Sequence, residues 1–340
     1  MKKLFLSVSL LAATFTSFAQ IDKVDDIKKQ LQTTNIDTVA WIKTGVLSIG
    51  TNGGFLHNWA AGGELGSLLI NGIFSGKLDR LYHHNIWTTN LDMTYGLTYN
   101  YSSGFIPRKT DDRIDFTSKY GFLLDTNSNF FVTGLVNFKS QFTKGYDYSM
   151  PNWDSVSTSR FMSPAFITTA AGFEYRRGSD VTIFLSPAAA RMIVANPFYT
   201  LMTPQGAFGI PYGKKSVFQM GAYFSGRYII NIRPNMIFKT RLDLYSNYLA
   251  KDTKDSSGVV IKKDNPGNIN ILFDNLFSWK ISKFFNVTVG STLMYDNNFP
   301  YSKTYVDKAT GAVVAKNEPG ADIGWVQLKQ VLTFGVGYKF

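Results

Sequence analysis

Catalysis near neutral pH usually needs a base that titrates there, and this sequence offers only three histidines, His57, His83 and His84. His57 stands in Leu56-His57-Asn58-Trp59 with no G-x-S-x-G nucleophile motif beside it, and His83-His84 falls at a turn. Cysteine is absent, which excludes thiol nucleophiles, thiolate-held metals and iron–sulfur clusters. Asp111-Asp112 with Asp115 presents hard oxygen ligands suited to a divalent cation in an outer loop. Lys109 and Arg113 are interleaved with them and dilute the negative charge, so no metal site is expected. Gly62-Gly63 does not join a strand to a helix, so no phosphate-cradling loop and no cofactor are expected either.

Charges that recur at every second position say more. Asp92, Asp115, Lys119, Lys139, Glu174, Arg227, Lys239, Arg241, Asp243 and Lys329 fall on the polar side of alternating segments. Enclosed together, groups of mixed sign can brace an interior as ion pairs, or line a narrow passage whose basic excess favours anions. The residues alone leave both open.

What must position these charges is a set of extended segments. Near 86–99, Trp87, Leu91, Met93, Tyr95, Leu97 and Tyr99 oppose Asn90, Asp92, Thr94, Gly96 and Thr98. Near 236–248, Phe238, Leu242, Leu244 and Tyr248 oppose Lys239, Arg241, Asp243, Tyr245 and Asn247; a helix would scatter these charges around its circumference. At the end of the chain Phe340, Tyr338, Val336, Phe334, Leu332, Leu328 and Val326 share one face. Twelve candidate strands follow, near 40–52, 65–77, 84–100, 112–125, 129–143, 161–176, 180–192, 215–231, 235–250, 267–281, 284–296 and 323–340. Short joints at Asp79-Arg80, Thr126-Asn127-Ser128, Arg177-Gly178-Ser179, Arg233-Pro234-Asn235 and Ser282-Lys283 alternate with long ones rich in Gly, Pro, Asn, Asp and Ser.

No run after the first twenty residues is long and apolar enough for a membrane-spanning helix, so a membrane protein with this sequence must be a closed barrel. The 28 Phe, 18 Tyr and 29 Gly suit such a wall with aromatic girdles. The expected fold is all-β: a transmembrane antiparallel up-and-down β-barrel of about 12 strands, with short periplasmic turns and long outer loops.

The beginning of the chain reads as an export signal. Lys2 and Lys3, an apolar stretch from Leu4 to about Phe15, and Ser17-Phe18-Ala19 before Gln20 have the order of a cleaved leader. The expected organisation is a signal peptide over 1–20, a short periplasmic lead-in over 21–38 and the barrel over 39–340. Loss of Lys2 and Lys3 would leave 33 of the 35 basic residues against 24 acidic, and take the formal charge from +11 to +9. The basic residues are scattered, without a Lys/Arg block or nucleic-acid motif, so no nucleic-acid partner is expected.

Two resemblances add to this reading. A terminal strand with Phe340, Tyr338, Val336 and Phe334 on one face resembles the signal read by the outer-membrane barrel assembly machinery. Asn58-Trp59-Ala60-Ala61-Gly62-Gly63-Glu64, Arg108-Lys109-Thr110-Asp111-Asp112-Arg113-Ile114-Asp115, Ser118-Lys119-Tyr120-Gly121, Phe138-Lys139-Ser140-Gln141-Phe142-Thr143, Phe184-Leu185-Ser186-Pro187 and Leu242-Asp243-Leu244-Tyr245-Ser246-Asn247-Tyr248 resemble a family of uncharacterised outer-membrane proteins from Bacteroidota, domain of unknown function 3078. That resemblance implies a barrel and an address in the outer membrane of a Gram-negative cell; it implies no reaction, ligand or catalytic residue.

The expectation is therefore a non-enzymatic barrel in outer-membrane lipid that acts as a passive channel or binder for a small polar or anionic solute. The alternative is a structural or surface-interaction barrel acting through its outer loops, where Tyr146, Tyr148 and Trp153 concentrate. A barrel hydrolase using His57 is the third reading.

Overall fold

The computed structural model describes residues 40–339 apart from 58–63, 126–127, 149–151, 179, 204–205, 255–257, 259, 263, 283–284, 297–302, 307–312 and 317–325. The expected leader and lead-in, and Phe340, lie outside the described residues.

Period-two segments hydrogen-bond to their sequence neighbours until the last meets the first, which leaves no open sheet edge. The barrel strands are β1 (Ala40–Phe55), β2 (Gly66–Tyr82), β3 (Asn85–Asn100), β4 (Arg108–Leu123), β5 (Phe130–Ser140), β6 (Ala165–Arg177), β7 (Val181–Val194), β8 (Ser216–Arg233), β9 (Met236–Asn247), β10 (Asn270–Lys280), β11 (Phe285–Tyr295) and β12 (Gln327–Lys339). Each pairs antiparallel with its neighbours, and β12 closes on β1 with Ile49 opposite Val336. The closing seam is tight. A Cβ added to Gly335 would sit 2.1 Å from the Ile49 carbonyl oxygen, so this position requires glycine. Asn71 donates across it to Thr333 Oγ1 at 2.8 Å.

Outward side chains are apolar around the whole circumference, including Ile49, Ile70, Trp87, Phe122, Phe173, Leu185, Phe218, Phe285, Leu332 and Phe334, all exposed. A continuous wall of this kind suits hydrocarbon rather than water. The buried groups instead face inward and are mostly polar, among them Asp79, Asn90, Asp115, Lys119, Glu174, Arg241 and Asp243.

Short joints gather at one end and long ones at the other, and residues 40 and 339 both lie at the short-turn end. The turn expected at Asp79-Arg80 is displaced to His83-His84. Asp79 is held inside by Thr88 Oγ1 at 2.6 Å and Lys77 Nζ at 2.7 Å, so pairing runs on to Tyr82, and His83 takes a positive φ of 49° to turn the chain. Asp111 and Asp112 belong to β4 rather than to an outer loop, because the pairing of β3 with β4 extends up to Arg108. The long connections carry small structures of their own. Gly145–Tyr146 pairs with Ser157–Ser159, Thr253–Lys254 with Val260–Lys262, Lys303–Val306 with Val313–Lys316, and a one-turn helix spans Pro197–Thr200.

Candidate functional site in the barrel lumen

The inner face of β4 carries Asp111, Arg113, Asp115 and Lys119, four charges of alternating sign with Thr117 between the last two, at the spacing that aims them all inward. Each reaches a charge on another strand. Asp111 meets Lys329 of β12 at 2.8 Å, and Arg113 meets Asp274 of β10, the strand diametrically opposite, at 3.1 Å. Asp115 meets Arg241 of β9 at 2.8 Å, and Lys119 meets Glu174 of β6 at 2.8 Å. The result is a bar of ion pairs across the lumen.

Its centre is the most densely bonded part. Arg241 donates to Asp115 and, at 2.5 Å, to Asp243, while Lys139 lies 3.7 Å from Asp115 and 3.4 Å from Asp243. Asn137 donates to the other oxygen of Asp115 at 2.7 Å, and Ser225 to the other oxygen of Asp243 at 2.8 Å. Each buried carboxylate therefore has both oxygens occupied, the condition under which buried charge is tolerated. Toward the short-turn end a second chain runs from Lys119 through Glu174 and Arg176 to Thr88, Asp79 and Lys77.

Two cavities lie on either side of the bar, and Asp111, Arg113 and Lys329 line both. One, of about 490 Å³, runs along β1–β3 to the short-turn end past Asn90, Thr88, Arg227 and Lys239. The other, of about 710 Å³, opens under the long loops against Phe166, Phe208, Tyr223, Tyr245 and Met294.

All ten charged residues singled out in the sequence line these cavities or join the bonded network. Eight take part in ion pairs: Asp92, 3.9 Å from Arg241, together with Asp115, Lys119, Lys139, Glu174, Arg241, Asp243 and Lys329. Arg227 and Lys239 line the first cavity, and among the described residues no carboxylate oxygen stands within 4 Å of Arg227. At the terminal strand Val336 and Phe334 are exposed on the outer face, and Tyr338 pairs with Leu47.

The candidate metal ligands do not converge. Asp111 turns inward to Lys329, whereas Asp112 accepts the backbone N–H groups of Phe142 and Thr143, at 2.6 and 2.9 Å, and the ammonium of Lys109. Among the described residues no group of three acidic, histidine or cysteine side chains could hold a metal ion. His57, His83 and His84 are exposed, with His57 in the first long loop and the other two at the opposite end. Tyr146, Tyr148 and Trp153 pack on one another with ring centroids 5.0–6.3 Å apart, and Arg108 lies over Tyr148.

Sequence reasoning missed Arg113, Arg176, Arg191 and Asp274. Arg113 shares the parity of Asp115 and Arg176 that of Glu174, so their signal was present. Asp274 lies in Ile271-Leu272-Phe273-Asp274-Asn275-Leu276-Phe277, apolar on both faces, and gave none. Arg191 follows a bulge, since Phe173 pairs with Leu185 but Ala171 with Ala188, and the extra residue at Pro187 reverses the alternation.

The family model described as "Protein of unknown function (DUF3078)" matches residues 52–146, from the end of β1 to the loop after β5, in keeping with the resemblance seen in the sequence. No curated protein matches the chain. Among solved structures it is similar to the translocator domain of the autotransporter NalP from Neisseria meningitidis, at 8% identity and TM-score 0.34, covering 94% of each chain. It is similar also to OmpT, an outer membrane protein of Vibrio cholerae, at 9% identity and TM-score 0.29, covering 89% of this chain and 97% of that one. A Pseudomonas aeruginosa FadL homologue matches at 10% identity and TM-score 0.27, covering 88% and 90%. At such scores the likeness says nothing about cargo or activity.

Proposed function

We propose that this chain is an outer-membrane barrel that admits and binds small polar solutes, anions in preference to cations, without catalysing a reaction on them. The observation that bears this reading is the bar from β4 across the lumen, which narrows the interior to solute-sized chambers and pairs the carboxylates there while leaving Arg227 outside the pairs. Asp79, Asp92, Asp111, Asp115, Glu174, Asp243 and Asp274 each lie within 4 Å of a cation, while Arg227 faces the 490 Å³ chamber with no carboxylate that close among the described residues. A guanidinium without a carboxylate in direct contact, facing a water-accessible chamber, raises the local concentration of anions. In this reading the apolar wall sits in outer-membrane lipid, with the long loops outside, and the assembly machinery engages the terminal strand.

Reconstitution of the full mature chain into planar bilayers tests the proposal. The expected result is a small conductance whose reversal potential in a salt gradient reports anion preference. Failure of the folded barrel to conduct ions or to let small anions into liposomes overturns it, as does preference for cations.

A further inference from the structure

The chamber under the long loops carries an aromatic cluster, Phe166, Phe208, Tyr223 and Tyr245, that the first chamber lacks. Its apolar side is Phe166, Phe208, Tyr223, Tyr245, Leu272 and Met294, and the charged groups of the bar, among them Asp115, Lys139, Asp243 and Lys329, close it opposite. Ligand pockets of several hundred cubic ångströms are typically lined this way, with a few polar groups to fix orientation. Here one cation stands over the aromatic wall: the Arg191 guanidinium carbon lies 3.6 Å from the centre of the Tyr245 ring. Stacking fixes the plane of the guanidinium, while its N–H donors remain available at the edges.

Those donors have little to bond. Arg191 Nε is buried without a hydrogen-bond partner, as is the hydroxyl of Tyr245, and no carboxylate oxygen lies within 4 Å of Arg191 among the described residues. Asp296, on the chamber rim, acts on Arg191 electrostatically. The other acids of the wall, Asp111, Asp112, Asp115 and Asp243, are engaged by Lys329, Lys109, Arg241 and Lys139. Buried donors left unsatisfied are costly, and a cation among rings is best compensated by an anion whose remainder is apolar.

We propose that this chamber binds an amphipathic carboxylate, its head on Arg191 and the Tyr245 hydroxyl and its ring or short aliphatic body against Phe166, Phe208 and Met294. Calorimetric titration of the full mature chain in detergent with 4-phenylbutyrate, 4-phenylbutanol, 4-phenylbutylamine and butyrate tests it. The acid should bind at least about tenfold more tightly than the other three, since it alone offers both a charge-assisted hydrogen bond to arginine and an apolar body. Arg191→Met should erase the advantage of the acid over the alcohol, and Arg191→Lys should keep part of it. Arg227→Met, in the other chamber, should leave the titration unchanged even where it alters ion selectivity. Heat-dependent mobility on gels checks that each variant is folded; should Arg191→Met fail to fold, Tyr245→Leu, which removes the platform, should weaken the acid by a similar factor. Equal binding of acid and alcohol, tighter binding of the amine, no binding by any of the four, or a folded Arg191→Met that binds like the native chain would each overturn the proposal.

Discussion

The two chambers share a divider and differ in how they handle charge. Along β1–β3 Asn71, Thr88, Asn90, Thr94 and the ion pairs share the wall with aliphatic residues such as Leu69, Ile73 and Val331, and Arg227 faces it. Under the long loops part of the wall is aromatic, and there Arg191 rests on a ring instead of a carboxylate, while Arg113, Lys139 and Lys329 are paired with acids of the bar. Hydration and pairing can stabilise charge in the first setting, whereas the second stabilises it by the quadrupole of Tyr245 and leaves directional donors unused. One barrel can therefore hold a site for small hydrophilic ions and another for solutes with an apolar part, because the row on β4 keeps the two environments apart.

Removing the divider at its centre should have the largest effect. Arg241→Met leaves Asp115 and Asp243 inside the barrel without their main counter-charge, and should cost about 3–5 kcal/mol in the urea-unfolding free energy of the reconstituted barrel. Adding Asp115→Asn and Asp243→Asn should recover most of that loss, and single-channel conductance should rise as the chambers merge. If Arg241→Met were as stable as the native chain, the bar would be incidental to the fold.

The outer part of the divider is less buried and should matter less. Arg113→Met breaks the partly buried pair with Asp274 and should cost about 1–2 kcal/mol by the same measurement. Arg227→Met tests the charge asymmetry directly. It should lower the anion-over-cation permeability ratio roughly two- to fivefold with little change in stability.

The smallest effect concerns the rim. Glu64 accepts the amide and hydroxyl of Ser102, at 2.8 and 2.6 Å, and these bonds hold its carboxyl below the ordinary glutamate range. A depressed carboxyl supports the folded loop fully above its unfolded pKa and loses that support as pH falls through the folded value. The hydrogen-exchange protection factor of the Ser102 amide, which removes the intrinsic pH dependence of exchange, should be flat at neutral pH and fall only in acid below the normal glutamate range. Ser102→Ala should move the onset to higher pH, while both chambers stay unaffected.

Much of the wall was legible in residue order because alternation is a local property. Trp87 and Asp92, or Phe238 and Arg241, point to opposite faces whatever the rest of the chain does. Legibility failed where the local rule is interrupted or silent. The bulge at Pro187 hides Arg191, apolar residues on both faces of β10 hide Asp274, and the turn after β2 lies beyond Asp79 because Thr88 and Lys77 hold that carboxylate inside. The family resemblance bears on the barrel and its address, and says nothing of either chamber.

By itself the sequence determined that the chain forms extended segments with one apolar and one polar face, joined by alternating short and long connections, and which charges turn away from lipid. Which of those charges meet was decided only by closure. Arg113 finds Asp274 161 positions away, and Asp115 finds Arg241 126 away, because twelve tilted strands bring opposite walls within reach of two side chains. The spacing of residues along a strand fixes a direction; the diameter and stagger of the cylinder fix what lies in that direction.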